Sequence, residues 1–197
     1  MPELPEVQTV IEGIKPKILN KKILDFKKYV SKLRYPISQS IRNRINRKLV
    51  KGVYRRAKYI IIDLEDDKSI VIHLGMSGRI FILESGDNQL YKHTHFIIKF
   101  SNQIKLIYVD PRRFGLIKVF SSNSLFKSKI FSHLGVEPLS KEFNGRYLKK
   151  ICDNKKSSIK SIIMNQKNVV GVGNIYASES LFLAKVHPLK ASCSLSI

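Results

Sequence analysis

The sequence has few of the residues that build disulfide frameworks or membrane spans. It contains two cysteines, Cys152 and Cys193, which form no CxxC pair, so it gives no support for an oxidising compartment. No apolar run approaches the roughly 18 residues of a membrane helix. The N-terminus is acidic and interrupted by proline, unlike a signal peptide. We therefore expect a cytoplasmic protein with reduced thiols.

Acidic residues are also scarce. The 197 residues include 15 Asp and Glu against 36 Lys and Arg, a formal net charge of +21. Such an excess creates a strongly positive field, and the cytosolic polyanion that matches it is nucleic acid. The chain is also rich in Lys, Ile, Asn and Ser, so codon bias is an alternative source of the lysines.

Hydrophobic spacing divides the chain into two parts. Val7, Val10, Ile11 and Ile14 predict a helix from Pro5 to Leu19. From residue 22 to 120, β-branched and aromatic runs alternate with turn clusters, which predicts a β-sandwich or barrel-like domain. Helical spacing follows after about residue 125. We predict an α+β fold, with a β domain at 1–125, a helical domain at 126–197, and the boundary between 122 and 135.

The N-terminus is a candidate nucleophile. Removal of Met1 before Pro2 would leave a secondary amine with a pKa of roughly 8, against roughly 10.4 for lysine. Such an amine can attack a sugar carbon and form a Schiff-base intermediate. Glu3 could move protons and Glu6 could orient the amine. The alternative is that these residues only start a helix.

Two further stretches carry candidate DNA contacts. In RRAKYI, strand alternation would put Arg56 and Lys58 on one side, which makes Lys58 a phosphate contact or proton carrier unless the cations form a solvated face. In HLGMSGR, glycines flank Met76, which is either an apolar wedge for a base stack or a residue of the core.

Three more stretches fit the positive charge. KHTHF places His93 and His95 on one strand face; no suitably spaced cysteine or carboxylate accompanies them, so a phosphate contact fits better than zinc. In DPRRFG, Arg112 could read bases or phosphates and Phe114 could intercalate; alternatively this is a turn with a core phenylalanine. The glycine turn of VVGVGNIYASESLF ends in Asn174, an N-cap type at a helix start suited to an anion.

Together these stretches resemble the formamidopyrimidine-DNA glycosylases, bacterial enzymes that excise oxidised purines such as 8-oxoguanine. The resemblance extends over essentially the whole chain. PELPEV and DPRRFG favour this family over its relative endonuclease VIII. The matching blocks are PELPEV at 2–7, RRAKY at 55–59, HLGMSG at 73–78, KH at 92–93, DPRRFG at 110–115 and VVGVGNIYASESLF at 169–182.

The resemblance implies roles for individual residues. Pro2 would be the nucleophile, Glu3 its proton donor, and Lys58 a proton donor in β-elimination. The DNA-binding positions would be His93, Arg112, Lys155, Lys160 and Asn174. The residues filling the gap left by the flipped nucleotide would be Met76, Arg112 and Phe114, with Arg112 facing the orphaned cytosine. The block around Asn174 resembles a helix–two-turns–helix motif.

One departure affects the expectations. The family continues to a zinc finger with two CxxC pairs, which this sequence lacks up to Ile197. We therefore expect no zinc or other cofactor in this chain, no δ-elimination, weaker DNA affinity, and exposed apolar surfaces in the helical half.

The resemblance favours a monomeric enzyme acting on double-stranded DNA with oxidised purines. An alternative is a truncated DNA-binding remnant without catalysis. A basic RNA- or ribosome-binding protein is a third, suggested by composition alone.

Overall fold

The computed structural model describes residues 2–84, 86–87 and 89–195. The chain divides into two compact units, residues 1–125 and residues 126–197. None of the helices in the described ranges is long and apolar enough to span a membrane.

Helix α1 begins the first unit and runs from Leu4 to Ile18. It starts and ends one residue before the predicted bounds, because Glu3 is the N-cap and forms a capping box with Glu6. The stripe predicted from the 3.6-residue period is buried at Val7, Ile11 and Ile14. The capping box and the buried stripe together fix the chain from Glu3 onwards.

The rest of the described part of the first unit consists of eight strands and one short helix. They are β1 (Ile23–Lys28), α2 (Ile41–Ile45), β2 (Val50–Arg56), β3 (Tyr59–Leu64), β4 (Lys68–His73), β5 (Arg79–Leu83), β6 (Thr94–Phe100), β7 (Lys105–Val109) and β8 (Leu116–Ser121). The strands form two antiparallel four-stranded sheets, in the orders β1-β6-β7-β5 and β2-β3-β4-β8.

Both sheets and α1 contribute side chains to one hydrophobic core. Phe96 stacks on Tyr108 with ring centroids 4.7 Å apart, on the β6 and β7 side. Ile62 and Ile72 of the other sheet are fully buried. The predicted α+β class with a β-sandwich is confirmed.

The second unit is built from short helices around a small core. Its helices are α3 (Gly145–Cys152), α4 (Ile159–Met164) and α5 (Asn174–Leu183), after a 3-10 turn at Ser122–Lys127 and before another at Ser192–Ser194. Its buried cluster is Cys152, Ile159, Ile162, Ile163, Ala177 and Leu181. The Gln166 side chain stabilises the connection between α4 and α5. Its Oε1 accepts the Gly171 N–H at 2.9 Å, and its Nε2 donates to the Val172 carbonyl at 2.9 Å.

Candidate active site

Lys58 lies at the tip of a hairpin rather than on a strand. Arg56 pairs with Tyr59, so the chain reverses at Ala57 and Lys58. The prediction that Arg56 and Lys58 share a strand face is therefore wrong. Ala57 has φ +53°, a left-handed conformation that non-glycine residues rarely adopt. Arg55 Nη1 donates to the Ala57 carbonyl at 3.0 Å and stabilises this tip.

The N-terminal carboxylates and Lys58 form one electrostatic cluster. Glu3 is 2 % exposed and Lys58 is 6 % exposed. Burial lowers the pKa of Lys58, and the nearby carboxylates of Glu3 and Glu6 offset part of that effect. A lysine with a lowered pKa exchanges protons more readily near neutral pH.

Glu6 fixes the backbone beside Pro2. Its carboxylate accepts a hydrogen bond of 2.8 Å from the Glu3 N–H, which belongs to the peptide joining Pro2 to Glu3. Glu6 itself is exposed at the start of α1, whereas Pro2 is half-buried. The arrangement places Pro2 next to a buried carboxylate, with a buried lysine in the same electrostatic cluster.

His73 belongs to the same cluster and was missed by sequence reasoning. Burial and the positive charges of Arg34 and Lys58 lower its pKa to about 4, so the ring is neutral at pH 7. Its Nδ1 accepts the Gly75 N–H at 2.9 Å, which leaves the proton on Nε2. A neutral ring held this way is a fixed N–H donor for an anion. Its position at a strand end before a glycine was the only signal in the sequence.

The two histidines of KHTHF do not share a strand face. His93 lies in the turn before β6 with φ +65°, whereas His95 is buried in the strand. That prediction is wrong because β6 begins only at Thr94. Within the described residues, no three His, Cys, Asp or Glu side chains come together in a way that could hold a metal ion.

The predicted void-filling residues are exposed on neighbouring loops. Met76 is 43 % exposed and Phe114 is 46 % exposed, so the alternative that places them in the core is wrong. The Arg112 guanidinium lies over the Phe114 ring, 4.7 Å from its centroid. This geometry presents two apolar side chains and one cation to solvent.

In the helical unit, Lys160 and Asn174 are linked through Ser178. Lys160 Nζ donates to Ser178 Oγ at 2.9 Å, and that hydroxyl donates to the Asn174 carbonyl at 2.8 Å. Gly173 is the N-cap of α5, so the prediction of Asn174 as N-cap is wrong by one residue. Asn174 is instead the exposed first residue of the helix. Lys155 is exposed after α3, and its carbonyl accepts from the Ser192 hydroxyl.

Two family models match the chain. Residues 1–117 match the formamidopyrimidine-DNA glycosylase N-terminal domain. Residues 134–197 match the formamidopyrimidine-DNA glycosylase H2TH domain. These matches cover both units.

Curated relatives and solved structures agree with the models. The chain is 45 % identical to the formamidopyrimidine-DNA glycosylase of Wolbachia pipientis from Culex pipiens, over all of this chain and 71 % of the relative. It is 46 % identical to that of Rickettsia felis, over 99 % of this chain and 70 % of the relative.

Among solved structures, Lactococcus lactis Fpg with abasic-site DNA matches with a TM-score of 0.90 at 30 % identity, covering 98 % of this chain and 71 % of that one. The same protein with DNA containing Fapy-dG matches equally well, at 0.90 and 30 %, over 98 % and 72 %. These matches define the fold of a DNA glycosylase. The chain belongs to the formamidopyrimidine-DNA glycosylase family.

Proposed function

We propose that this chain is a DNA glycosylase and abasic-site lyase of base excision repair, which excises oxidised purines from double-stranded DNA through a Schiff base at Pro2. The observation that carries the proposal is the cluster at the N-terminus. There a half-buried Pro2 precedes the buried Glu3, beside the buried Lys58. Solved relatives bound to abasic-site and Fapy-dG DNA support the substrate class.

In the proposed reaction, removal of Met1 exposes the Pro2 amine, and its lone pair attacks C1′ of the damaged nucleotide. The bond from C1′ to the base breaks, and the base leaves with that electron pair and takes the proton lost by the amine. Glu3 gives a proton to the ring oxygen, so the sugar opens and an iminium joins Pro2 to C1′. A buried carboxyl group next to the amine suits this transfer.

The strand is then broken by β-elimination. Water takes a proton from C2′, a C2′–C3′ double bond forms, and the C3′–O bond breaks. The 3′ phosphate leaves with that electron pair and takes a proton from Lys58. Its lowered pKa, caused by burial, favours proton exchange at neutral pH. Water finally hydrolyses the iminium and regenerates the amine.

DNA contacts of the proposal come from both units. Arg112, Met76 and Phe114 would fill the space left by the flipped nucleotide, and His93 would contact phosphate. In the helical unit, the first turn of α5 at Asn174 and the neighbouring Lys160 would bind phosphate, together with Lys155. The net charge of +21 matches such a polyanion.

A strand-incision assay tests the proposal. A duplex with one 8-oxoguanine opposite cytosine should be cut at the lesion, while the same duplex with guanine stays intact. Replacing Glu3 with Gln should remove excision and leave binding of the duplex. Equal cutting of damaged and undamaged duplexes would overturn the proposed substrate class.

DNA binding without catalysis is a second candidate. It is favoured by the apolar side chains exposed in the helical unit, where Phe182 and Leu183 are each 79 % exposed. Relatives extend beyond the length that this chain matches. Tight binding of a lesion duplex with no excision by a folded sample would support this candidate.

A further inference from the structure

The loops that carry Met76 and Phe114 are in direct backbone contact. Gly75 has φ +64°, and a Cβ atom there would lie 2.5 Å from the Phe114 carbonyl carbon. A Cβ atom at Gly115 would lie 2.6 Å from the His73 carbonyl oxygen. Only glycine permits an approach this close. The backbones of the two loops are therefore packed directly against each other where the loops begin.

The Asp110 carboxylate connects the two loops through hydrogen bonds. It is fully buried, and its Oδ1 accepts the Ser77 hydroxyl at 2.5 Å. Its Oδ2 accepts the Gly115 N–H at 2.8 Å and the Tyr108 hydroxyl at 3.3 Å. The carboxylate thus contacts one residue beside Met76 and one beside Phe114.

Ser77 extends the network to Arg112. Its hydroxyl oxygen accepts the Arg112 N–H at 3.1 Å while its hydroxyl hydrogen is given to Asp110. The Asp110 carbonyl is also used, since His95 Nε2 donates to it at 2.7 Å and Arg113 N–H at 3.1 Å. Every part of Asp110 is therefore held in place.

A buried carboxylate is costly unless several donors satisfy it. Here the donors come from both loops, so the carboxylate holds its full set of hydrogen bonds only when the loops are joined. The three exposed side chains are each within one or two residues of a network member. The backbone positions that carry these side chains are consequently fixed relative to one another before any DNA is bound.

We propose that Asp110 and Ser77 form a positioning pair that locks Met76, Arg112 and Phe114 into one preformed wedge for extrusion of the damaged nucleotide. The proposal rests on the proposed function for the substrate, but the lock itself is a property of the protein alone. Preorganisation spares the cost of ordering three side chains when DNA binds. Neither residue of the pair touches the reacting atoms.

Ser77→Ala is the sharpest variant, because it removes the bridging hydroxyl and no other part of the network. Ser77→Thr is its matched control, since it restores the hydroxyl. Borohydride trapping rates are compared on a duplex with 8-oxoguanine and on a single-stranded abasic oligonucleotide, which needs no extrusion. We expect the ratio of duplex rate to single-strand rate to fall about tenfold in Ser77→Ala and to return in Ser77→Thr.

Hydrogen exchange of the Arg112 and Gly115 amides measures the lock without any chemistry. In Ser77→Ala both amides should exchange at least several-fold faster than in the native protein, with native rates in Ser77→Thr. Unchanged exchange overturns the positioning pair. An unchanged ratio of duplex rate to single-strand rate also overturns it, whether both rates stay native or both fall equally.

The two proposals fail in different ways. If the native protein traps neither substrate, the proposed function fails, while amide exchange still decides whether the lock exists. Asp110→Asn gives a second check, because the amide lacks one acceptor and the charge. Because the Gly115 N–H donates to Asp110 itself, the Gly115 amide should exchange faster in Asp110→Asn than in Ser77→Ala. Native exchange of Gly115 in Asp110→Asn would overturn the positioning pair.

Discussion

Residues 1–125 and residues 126–197 hold their charged side chains in different ways. In the first unit, Glu3, Lys58 and Asp110 are buried, and their neighbours are fixed by hydrogen bonds or by opposite charges. In the second, Lys155 is exposed in the segment after α3. Burial shifts the pKa of a charged group and fixes its geometry, whereas an exposed cation only attracts anions. In the proposed function, the chemistry therefore belongs to the first unit, and the second unit contributes only DNA contacts.

The largest expected effect comes from removing the Glu3 carboxylic acid in the first unit. Glu3→Gln should lower base excision roughly 10³-fold, because the amide keeps the acceptor of the helix cap but loses the acid. Single-turnover excision at saturating protein measures the loss. Glu12→Gln on the exposed face of α1 is the matched control and should leave the rate unchanged. A loss of less than tenfold in Glu3→Gln would remove Glu3 from the reaction.

The second effect compares the two cores. Ile72 is fully buried between two strands, so Ile72→Ala should lower the free energy of unfolding by about 4 kcal/mol. Ile162→Ala in the small helical core should cost about 2 kcal/mol, because fewer neighbours surround the cavity. Leu183→Ala, at an exposed position, should change stability by less than about 0.5 kcal/mol.

Urea unfolding followed by circular dichroism measures all three variants. Equal losses for Ile72→Ala and Ile162→Ala would contradict the contrast between the two units.

The third effect is a pH dependence confined to the first unit. Burial lowers the pKa of His73 from its usual value of 6.5 to about 4 in the folded protein. Between these pH values the unfolded state binds more protons, so stability falls as pH drops from 6.5 towards 4, by on the order of 2 kcal/mol. Urea midpoints at pH 7 and pH 4.5 measure the loss.

His73→Gln should reduce this loss, because glutamine stays neutral over the whole range. His187→Gln is the control, since His187 is exposed in the helical unit, and it should keep the native pH dependence. The same dependence in both variants would show that other groups cause it.

The smallest expected effect is a loss of DNA affinity when a lysine of the second unit is replaced. Lys160→Met should weaken DNA binding by about 1 kcal/mol and lower the salt slope by about one, with no preference for sequence. Lys190→Met removes another lysine of the same unit and should have a smaller effect. Fluorescence anisotropy at several salt concentrations measures both. Identical losses would mean that only the net charge matters.

The sequence predicted the elements better than the site. Periodicity located α1 within one residue, because burial of one helix face fixes the pattern. The β-branched and aromatic runs indicated the β domain, but β2 at Val50–Arg56 escaped prediction. The turn at Ala57 and Lys58 escaped prediction, since neither residue has turn chemistry. His73 and Asp110 were missed as well. Their importance depends on partners from other strands, and sequence spacing does not reveal such contacts.

In the proposed function, the reacting group is the Pro2 amine at the N-terminus of the first unit. Borohydride trapping on a duplex with 8-oxoguanine opposite cytosine, followed by mass spectrometry of the cross-linked peptide, tests it most directly. We expect an adduct on the peptide that begins at Pro2, with little adduct in Pro2→Gly. An adduct on any lysine peptide, or equal trapping by Pro2→Gly, would contradict it.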